Sequence, residues 1–284
     1  MVKNRKQIIA ITGSHGFVAS SLAKLISLKP VPRELLHNVN ALINYFSSVD
    51  TIIHTAVYGN YNFQEGDRKT FRVNVDYTFN VLEAAKKAGV KNFLYFSSSY
   101  ELGTKKVAMH EEMVARPETL YGITKACGTQ LTRYFSKYFN TAIIRPFSIM
   151  GIGEQECHLI PTLIRSCLYG EKMKFVPDPV HDFINIDDIC SGVIAILKNI
   201  KGFKGEIFHI GYGKQYTNQE VLEMVEKITG KKANIEIVGR IRYYDSSFWM
   251  ADNTKIKSLG WEPTKGLERT IKEMVENELK KKNS

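Results

Sequence analysis

No run of about eighteen uncharged apolar residues occurs in the 284-residue chain, so no membrane-spanning helix is expected. The start, Met1-Val-Lys-Asn-Arg-Lys6, passes straight into a strand-like segment and offers no apolar core for a secretion signal. A soluble, cytoplasmic protein is the expectation. Cysteine is scarce: Cys127, Cys157, Cys167 and Cys190 are scattered without a CxxC pair. That spacing argues against a metal site and against a disulfide framework, and leaves free thiols. Internal repeats and low-complexity stretches are also missing. Acidic residues are outnumbered, 29 to 39, for a net charge of +10. The lysines are spread along the chain, however, and the densest run, Lys280-Lys281-Lys282, reads as a solvated tail. With no aromatic-interleaved basic motif, a nucleic-acid partner is not expected, and an anionic small substrate accounts for the excess equally well.

What the chain does have is apolar content, 44%, enough to bury one large core or one core with a smaller lobe attached. Gln7–Thr12 is a short β-branched run ending at Gly13, and Phe17–Leu28 then repeats apolar residues at helical spacing. The alternation returns with a strand at Thr51–Thr55, a helix at Phe71–Ala88, a strand at Asn92–Phe96, a helix at Tyr121–Phe139 and a strand at Thr141–Ile144. Such a rhythm implies an α/β fold, a doubly wound parallel sheet covered on both faces. After about Gly151 it breaks into loops and shorter elements, with helices near Leu159–Cys167, Asn218–Thr229 and Leu267–Leu279. A dinucleotide-binding domain over 1–148 and a smaller substrate lobe over 149–284 are expected, with about 181–210 returning to the first domain.

Gly13-Ser-His-Gly16-Phe-Val-Ala19 falls between the first strand and the first helix, the context that gives a glycine motif meaning. Gly13 permits the tight turn and Gly16 lets the backbone approach a pyrophosphate. Ala19 stands where many such motifs carry a third glycine. A purely structural turn is the competing reading.

Tyr121-Gly-Ile-Thr-Lys125 opens a helix, so Tyr121 and Lys125 project from one face. An ammonium one turn away favours the phenolate, and the pair can move a proton at an alcohol or ketone. Ser97-Ser98-Ser99 follows a strand at its carboxyl end, the edge where doubly wound sheets bind ligands. Surface decoration for the tyrosine and lysine, and a polar turn for the serines, stand as alternatives. The order of glycine turn, serine strand end and YxxxK helix within one α/β pattern favours catalysis.

At this point the chain resembles the extended short-chain dehydrogenase/reductase family, in its NAD-dependent epimerase/dehydratase, or nucleotide-sugar, group. The resemblance also rests on Asp50-Thr-Ile-Ile-His54-Thr-Ala56, Asn74-Val-Asp-Tyr-Thr78, Val90-Lys-Asn-Phe93, His181-Asp-Phe-Ile-Asn-Ile-Asp-Asp188, Ala251-Asp252 and Leu259-Gly-Trp-Glu-Pro263. It implies a Rossmann-like sheet, NAD or NADP as cofactor, and a nucleotide-diphosphate sugar as substrate. Counting back from Gly103 places the catalytic serine at Ser98, beside Tyr121 and Lys125. The same likeness implies cofactor contacts from Gly13, Ser14, His15, Gly16, Phe17, Val18, Ala56, Tyr121, Lys125 and Pro146. Substrate contacts would come from Ser99, Tyr100, Ser148, His158, His181, Arg242 and Asp245, with His181 where the family commonly has an arginine. Family members often pair through the YxxxK helix and its neighbour, which implies a homodimer; Leu131, Tyr134 and Phe135 are compatible with that pairing, and core packing explains them equally.

The acidic pair that dehydratases of this group carry is replaced by Ser99 and Tyr100, which disfavours dehydration. His158 matches a histidine that protonates a ring carbon in relatives resembling GDP-fucose synthase, but its cysteine partner is Tyr100 here, so epimerisation at C3 and C5 is disfavoured too. C4 epimerisation and C4 keto reduction remain, alongside a non-catalytic relative that binds a nucleotide sugar or a partner. Only about twenty residues separate the first helix from the strand at Thr51, too few for the usual elements. Asn38–Phe46 is expected as a helix, and Pro30 and Pro32 exclude an interior strand between. The acidic residue or arginine that normally reads the adenosine ribose has no located counterpart, with Arg33 or Glu34 as the candidates. A shortened pocket weakens cofactor retention and tilts the expectation toward a 4-keto reductase.

Overall fold

The computed structural model describes residues 7–59, 64, 66–239 and 246–282. In chain order its elements are β1 (Ile9–Thr12), α1 (Phe17–Leu22), β2 (Lys29–Pro30), α2 (Val39–Phe46), β3 (Thr51–His54), α3 (Asp67–Phe71), α4 (Tyr77–Ala88), β4 (Asn92–Phe96), α5 (Leu120–Phe135) and β5 (Asn140–Pro146). There follow β6 (Ser148–Met150), α6 (Leu159–Tyr169), β7 (Met173–Phe175), β8 (Val180–Asn185), α7 (Ile186–Asn199), β9 (Lys204–Ile210), β10 (Gln215–Thr217), α8 (Asn218–Thr229), β11 (Ile235–Ile237), α9 (Thr254–Lys257) and α10 (Leu267–Lys282).

Two compact units result, one of 1–103, 114–145 and 193–208, the other of 104–113, 146–192 and 209–284. The first is built on a six-stranded sheet in the order β2-β1-β3-β4-β5-β9, with β1 to β5 pairing in parallel. β3 and β4 are buried along their whole length, as strands covered on both faces must be. Leu42, Phe46, Ile52, Val81, Leu82, Phe93 and Phe135 fill the core between sheet and helices, each gaining about 2 kcal/mol by leaving water. The second unit has a three-stranded sheet, β10-β8-β6, and a two-stranded one, β11-β7, over a separate core of residues such as Leu163, Phe175, Val221 and Ile271. Among the described residues no helix is long and apolar enough to cross a membrane.

Three elements depart from the sequence expectation. The first helix stops at Leu22 rather than Leu28. Leu25 is 57% exposed, so no apolar face continues, and the chain must turn back at once to enter β2 at Lys29. The expected helix over 71–88 begins at Asp67 and is interrupted by a π-turn at Arg72–Asp76, whose extra residue swings the Asn74 side chain inward. The helix expected to reach Phe139 ends at Phe135, its last turn closed by the Ser136 hydroxyl donating to the Arg133 carbonyl at 2.7 Å. β2 is two residues long and lies at the sheet edge, where Pro30 is tolerated. α2 starts as expected, with the Asn38 side chain accepting from the Ala41 amide at 3.1 Å.

Candidate active site

β1 delivers the glycine turn. Gly13 has φ of +68°, a conformation that penalises any Cβ, and an added Cβ would stand 2.9 Å from the Ala56 amide nitrogen. The Gly16 amide returns to the Gly13 carbonyl at 2.9 Å, and no side chain caps the turn from Gly16 into α1. Thr55 donates to the Thr12 carbonyl at 2.6 Å, and the Ala56 amide donates to the Thr12 hydroxyl at 3.2 Å, so the ends of β1 and β3 are laced together beneath the turn. The backbone N–H groups left uncapped at this turn could receive a diphosphate. Ser14, His15, Phe17 and Val18 line this segment, with the Ser14 hydroxyl 3.4 Å from His15 Nδ1.

β4 and α5 deliver the second group. Ser98 is extended and caps a single 3-10 turn, Ser99–Glu101, its hydroxyl accepting from the Tyr100 amide at 3.2 Å. Thr119 caps α5 by accepting from Gly122 at 3.0 Å, which sets Tyr121 in the first helical turn. A Cβ on Gly122 would lie 2.5 Å from the Tyr100 carbonyl oxygen, so the start of α5 packs directly on the serine turn. The Tyr100 and Tyr121 rings meet edge to face at 5.9 Å. Lys125 is buried, donates through Nζ to the Phe96 carbonyl, and holds its charge 4.6 Å above the Tyr95 ring. Burial pushes its pKa down to about 7, and the Glu101 carboxylate works against that shift. The structure therefore gathers Ser98, Ser99, Tyr100, Tyr121 and Lys125 on one pair of elements.

Two polar networks carried no signal in the residue spacing. His54 is fully buried, with Nδ1 2.7 Å from the Thr12 hydroxyl and Nε2 2.9 Å from the Thr78 hydroxyl. Thr78 donates to the Asn74 carbonyl at 2.7 Å, Asn74 donates to Thr124 at 2.9 Å, and Thr124 donates to the Tyr121 carbonyl at 2.9 Å. This chain joins the glycine turn to the first turn of α5. Burial, and second the Lys125 charge, lower the His54 pKa to about 3, so the ring is neutral. The other network centres on Glu101, which pairs with Arg145 at 2.9 Å and accepts from Ser97 and Thr129.

The remaining expected residues belong to the second unit or fall outside the description. Ser148 and His181 stand 3.4 Å apart on β6 and β8, and His181 also meets Phe183 ring to ring at 5.4 Å. His158 is the N-cap residue of α6, and its Nδ1 lies 3.0 Å from Glu154, a buried carboxylate whose pKa burial raises. Pro146 closes β5 and groups with the second unit. Arg242 and Asp245 lie outside the described residues. Of the proposed pairing residues, Tyr134 is 60% exposed, but Phe135 is 4% exposed and packs into the sheet's core, so it is unavailable to a partner.

A parallel sheet with a glycine turn at its first strand end and a tyrosine and buried lysine one helical turn apart defines a dinucleotide-binding α/β oxidoreductase core. The profile of the NAD dependent epimerase/dehydratase family matches residues 9–211, and the chain belongs to that family. It is 29% identical over 244 residues to a UDP-glucose 4-epimerase of Lactobacillus helveticus, covering 76% of this chain and 72% of that protein. It is 25% identical over 297 residues to a GDP-6-deoxy-D-mannose reductase of Pseudomonas aeruginosa, covering 95% of each. The fold matches that of MoeE5 in complex with UDP-glucose and NAD, with TM-score 0.88 and 23% identity over 96% of this chain and 99% of that one.

Proposed function

We propose that the protein is an NAD(P)-dependent oxidoreductase acting at C4 of a nucleotide-diphosphate sugar. The observation that carries this reading is the Ser98, Tyr121 and Lys125 group on the interlocked β4 turn and α5. Gly13–Val18, with Ala56 beneath, would hold the cofactor diphosphate, and NAD or NADP supplies the hydride exchange when bound. Ser98 holds the sugar oxygen by its hydroxyl. Tyr121 takes the proton from the C4 hydroxyl, or returns it to a 4-keto group. Lys125 favours the phenolate, and Tyr100 and Ser99 border the sugar. Within the second unit, Ser148, His158 and His181 are the diphosphate candidates.

The two-residue β2 supports keto reduction with exchangeable cofactor, because little remains to grip the adenosine ribose. A second reading, reversible 4-epimerisation, is favoured by the likeness to UDP-sugar 4-epimerases. Protein purified without added cofactor decides between them: an epimerase retains NAD through gel filtration and interconverts UDP-glucose and UDP-galactose, whereas a reductase elutes empty and consumes NAD(P)H with a 4-keto sugar nucleotide. Tyr121→Phe should abolish turnover, by at least about 100-fold, while NADH fluorescence enhancement persists. Failure of both NADH and NADPH to bind at millimolar concentration would refute the enzyme reading.

Pairing of two chains through α4 and α5 is part of the same proposal. Phe79 is 41% exposed on α4, and Ile123 and Tyr134 are exposed on α5, so each is available to a partner's α4 and α5.

A further inference from the structure

Glu101 is buried completely, yet its residue type had no place in the expected catalytic set. Its carboxylate meets three elements at once. Oε1 accepts from Ser97, the residue before Ser98, and from Thr129 on α5 at 2.5 Å, while Oε2 accepts from Arg145 on β5 at 2.9 Å. Thr129 stands four residues after Lys125, which stands four after Tyr121, so the three side chains form one row along α5. Tyr95 also donates to the Lys125 carbonyl, at 3.5 Å.

Stability does not account for this arrangement. A buried ion pair is commonly no better than apolar residues of the same volume. Here the Arg145 Nε and Nη1 groups are buried and have no partner among the described residues, which makes the pair costlier still.

We infer that Glu101 is a positioning residue of the catalytic group: its buried carboxylate ties the turn bearing Ser98 to the helix bearing Tyr121 and Lys125. This inference rests on the catalytic reading of those three residues. Tyr95 and the Phe96 carbonyl of β4 meet Lys125 directly, His54 of β3 and Glu101 of the serine turn interact with it through charge, Glu101 is itself paired with Arg145, and Tyr121 precedes it by one turn on its own helix. His54 is neutral and Tyr95 is held well above its ordinary range by burial, so neither brings Lys125 a negative charge, whereas Glu101 does. Its charge opposes the desolvation that drives Lys125 toward the neutral amine.

The test is a titration of Lys125 by NMR on 13Cε-lysine-labelled protein, its resonance assigned by disappearance in Lys125→Met. That readout does not require turnover, so it stands even if the proposed substrate is wrong. Glu101→Gln combined with Arg145→Met removes both charges and keeps an acceptor for Thr129, whereas Glu101→Asp keeps the charge. The Lys125 midpoint, about 7 in the wild type, should fall by on the order of one pH unit in the double variant and stay near its wild-type value in Glu101→Asp. With an active substrate, the alkaline limb of kcat should move down by the same amount in the double variant. If the double variant shows no cooperative unfolding, Glu101→Leu with Arg145→Met carries the same test without a buried side-chain amide at position 101. A midpoint unchanged on removing the charge, or lowered equally by Glu101→Asp, would overturn the inference and leave Glu101 a structural residue.

Discussion

Acid should unlock the fold at His54. The ring is fully buried between Thr12 and Thr78, and its pKa lies at about 3 against 6.5 for a free histidine. Between those values the unfolded chain binds a proton that the folded chain refuses, so stability rises with pH across the window. The contribution is fully present above pH 6.5 and is lost as pH falls toward 3. At about 1.4 kcal/mol per pH unit the whole window corresponds to about 5 kcal/mol, of which about 2.7 kcal/mol is gone by pH 4.5. That is a large share of the roughly 5 to 15 kcal/mol by which domains are stable. Asp182 acts oppositely, since burial raises its pKa to about 6 and its charged form costs stability as pH rises from 3.8 through that value. Urea unfolding of wild type and His54→Asn at pH 7 and pH 4.5 isolates the histidine, because Asp182 is common to both proteins. At pH 7 the variant should be weaker by about 1 to 3 kcal/mol, having left a buried hydroxyl unmatched. At pH 4.5 that gap should close or reverse. A gap that is the same at both pH values would refute the reasoning.

Gly13→Ala should weaken NADH binding by about tenfold or more, because a left-handed alanine costs about 1 to 2 kcal/mol and its methyl meets the Ala56 amide; fluorescence titration reads the loss. Lys125→Met should abolish activity yet melt higher than wild type at pH 6. Folding disfavours the Lys125 ammonium, so the variant's advantage, on the order of 2 kcal/mol, should shrink as pH rises from about 7 toward 10.5. Tyr134→Asp puts a charge on the exposed α5 surface and should convert a dimer into a monomer by light scattering, with the cofactor affinity unchanged.

The parts of this molecule that were legible in its sequence are those whose residues are local and periodic. β3 and β4 announce themselves as apolar runs, α8 falls on the helix expected near Asn218–Thr229, and the glycine turn is marked by its place between strand and helix. The end of α1 was not legible, because the stop is set by where β2 must pair rather than by any breaker at Leu22. Nor was the π-turn at 72–76, which exists to bring Asn74 between Tyr58 and Thr124, positions 16 and 50 residues away. Glu101 and Arg145 lie 44 residues apart with no shared motif, so only the fold reveals that the two pair. Ser98 was separated from Ser97 and Ser99 by family resemblance. The structure adds a distinction: the Ser97 hydroxyl is spent on Glu101, while Ser98 caps the turn.

Transfer of an isotopic label tests the central claim most directly. Nucleotide 4-keto sugars incubated with the protein and NADH or NADPH deuterated at nicotinamide C4 should yield a sugar nucleotide carrying deuterium at C4, detected by mass spectrometry and located by NMR. Wild type should transfer the label and Tyr121→Phe should not. Transfer to another carbon, or equal transfer by Tyr121→Phe, would contradict the assignment of C4 oxidoreduction to Ser98, Tyr121 and Lys125.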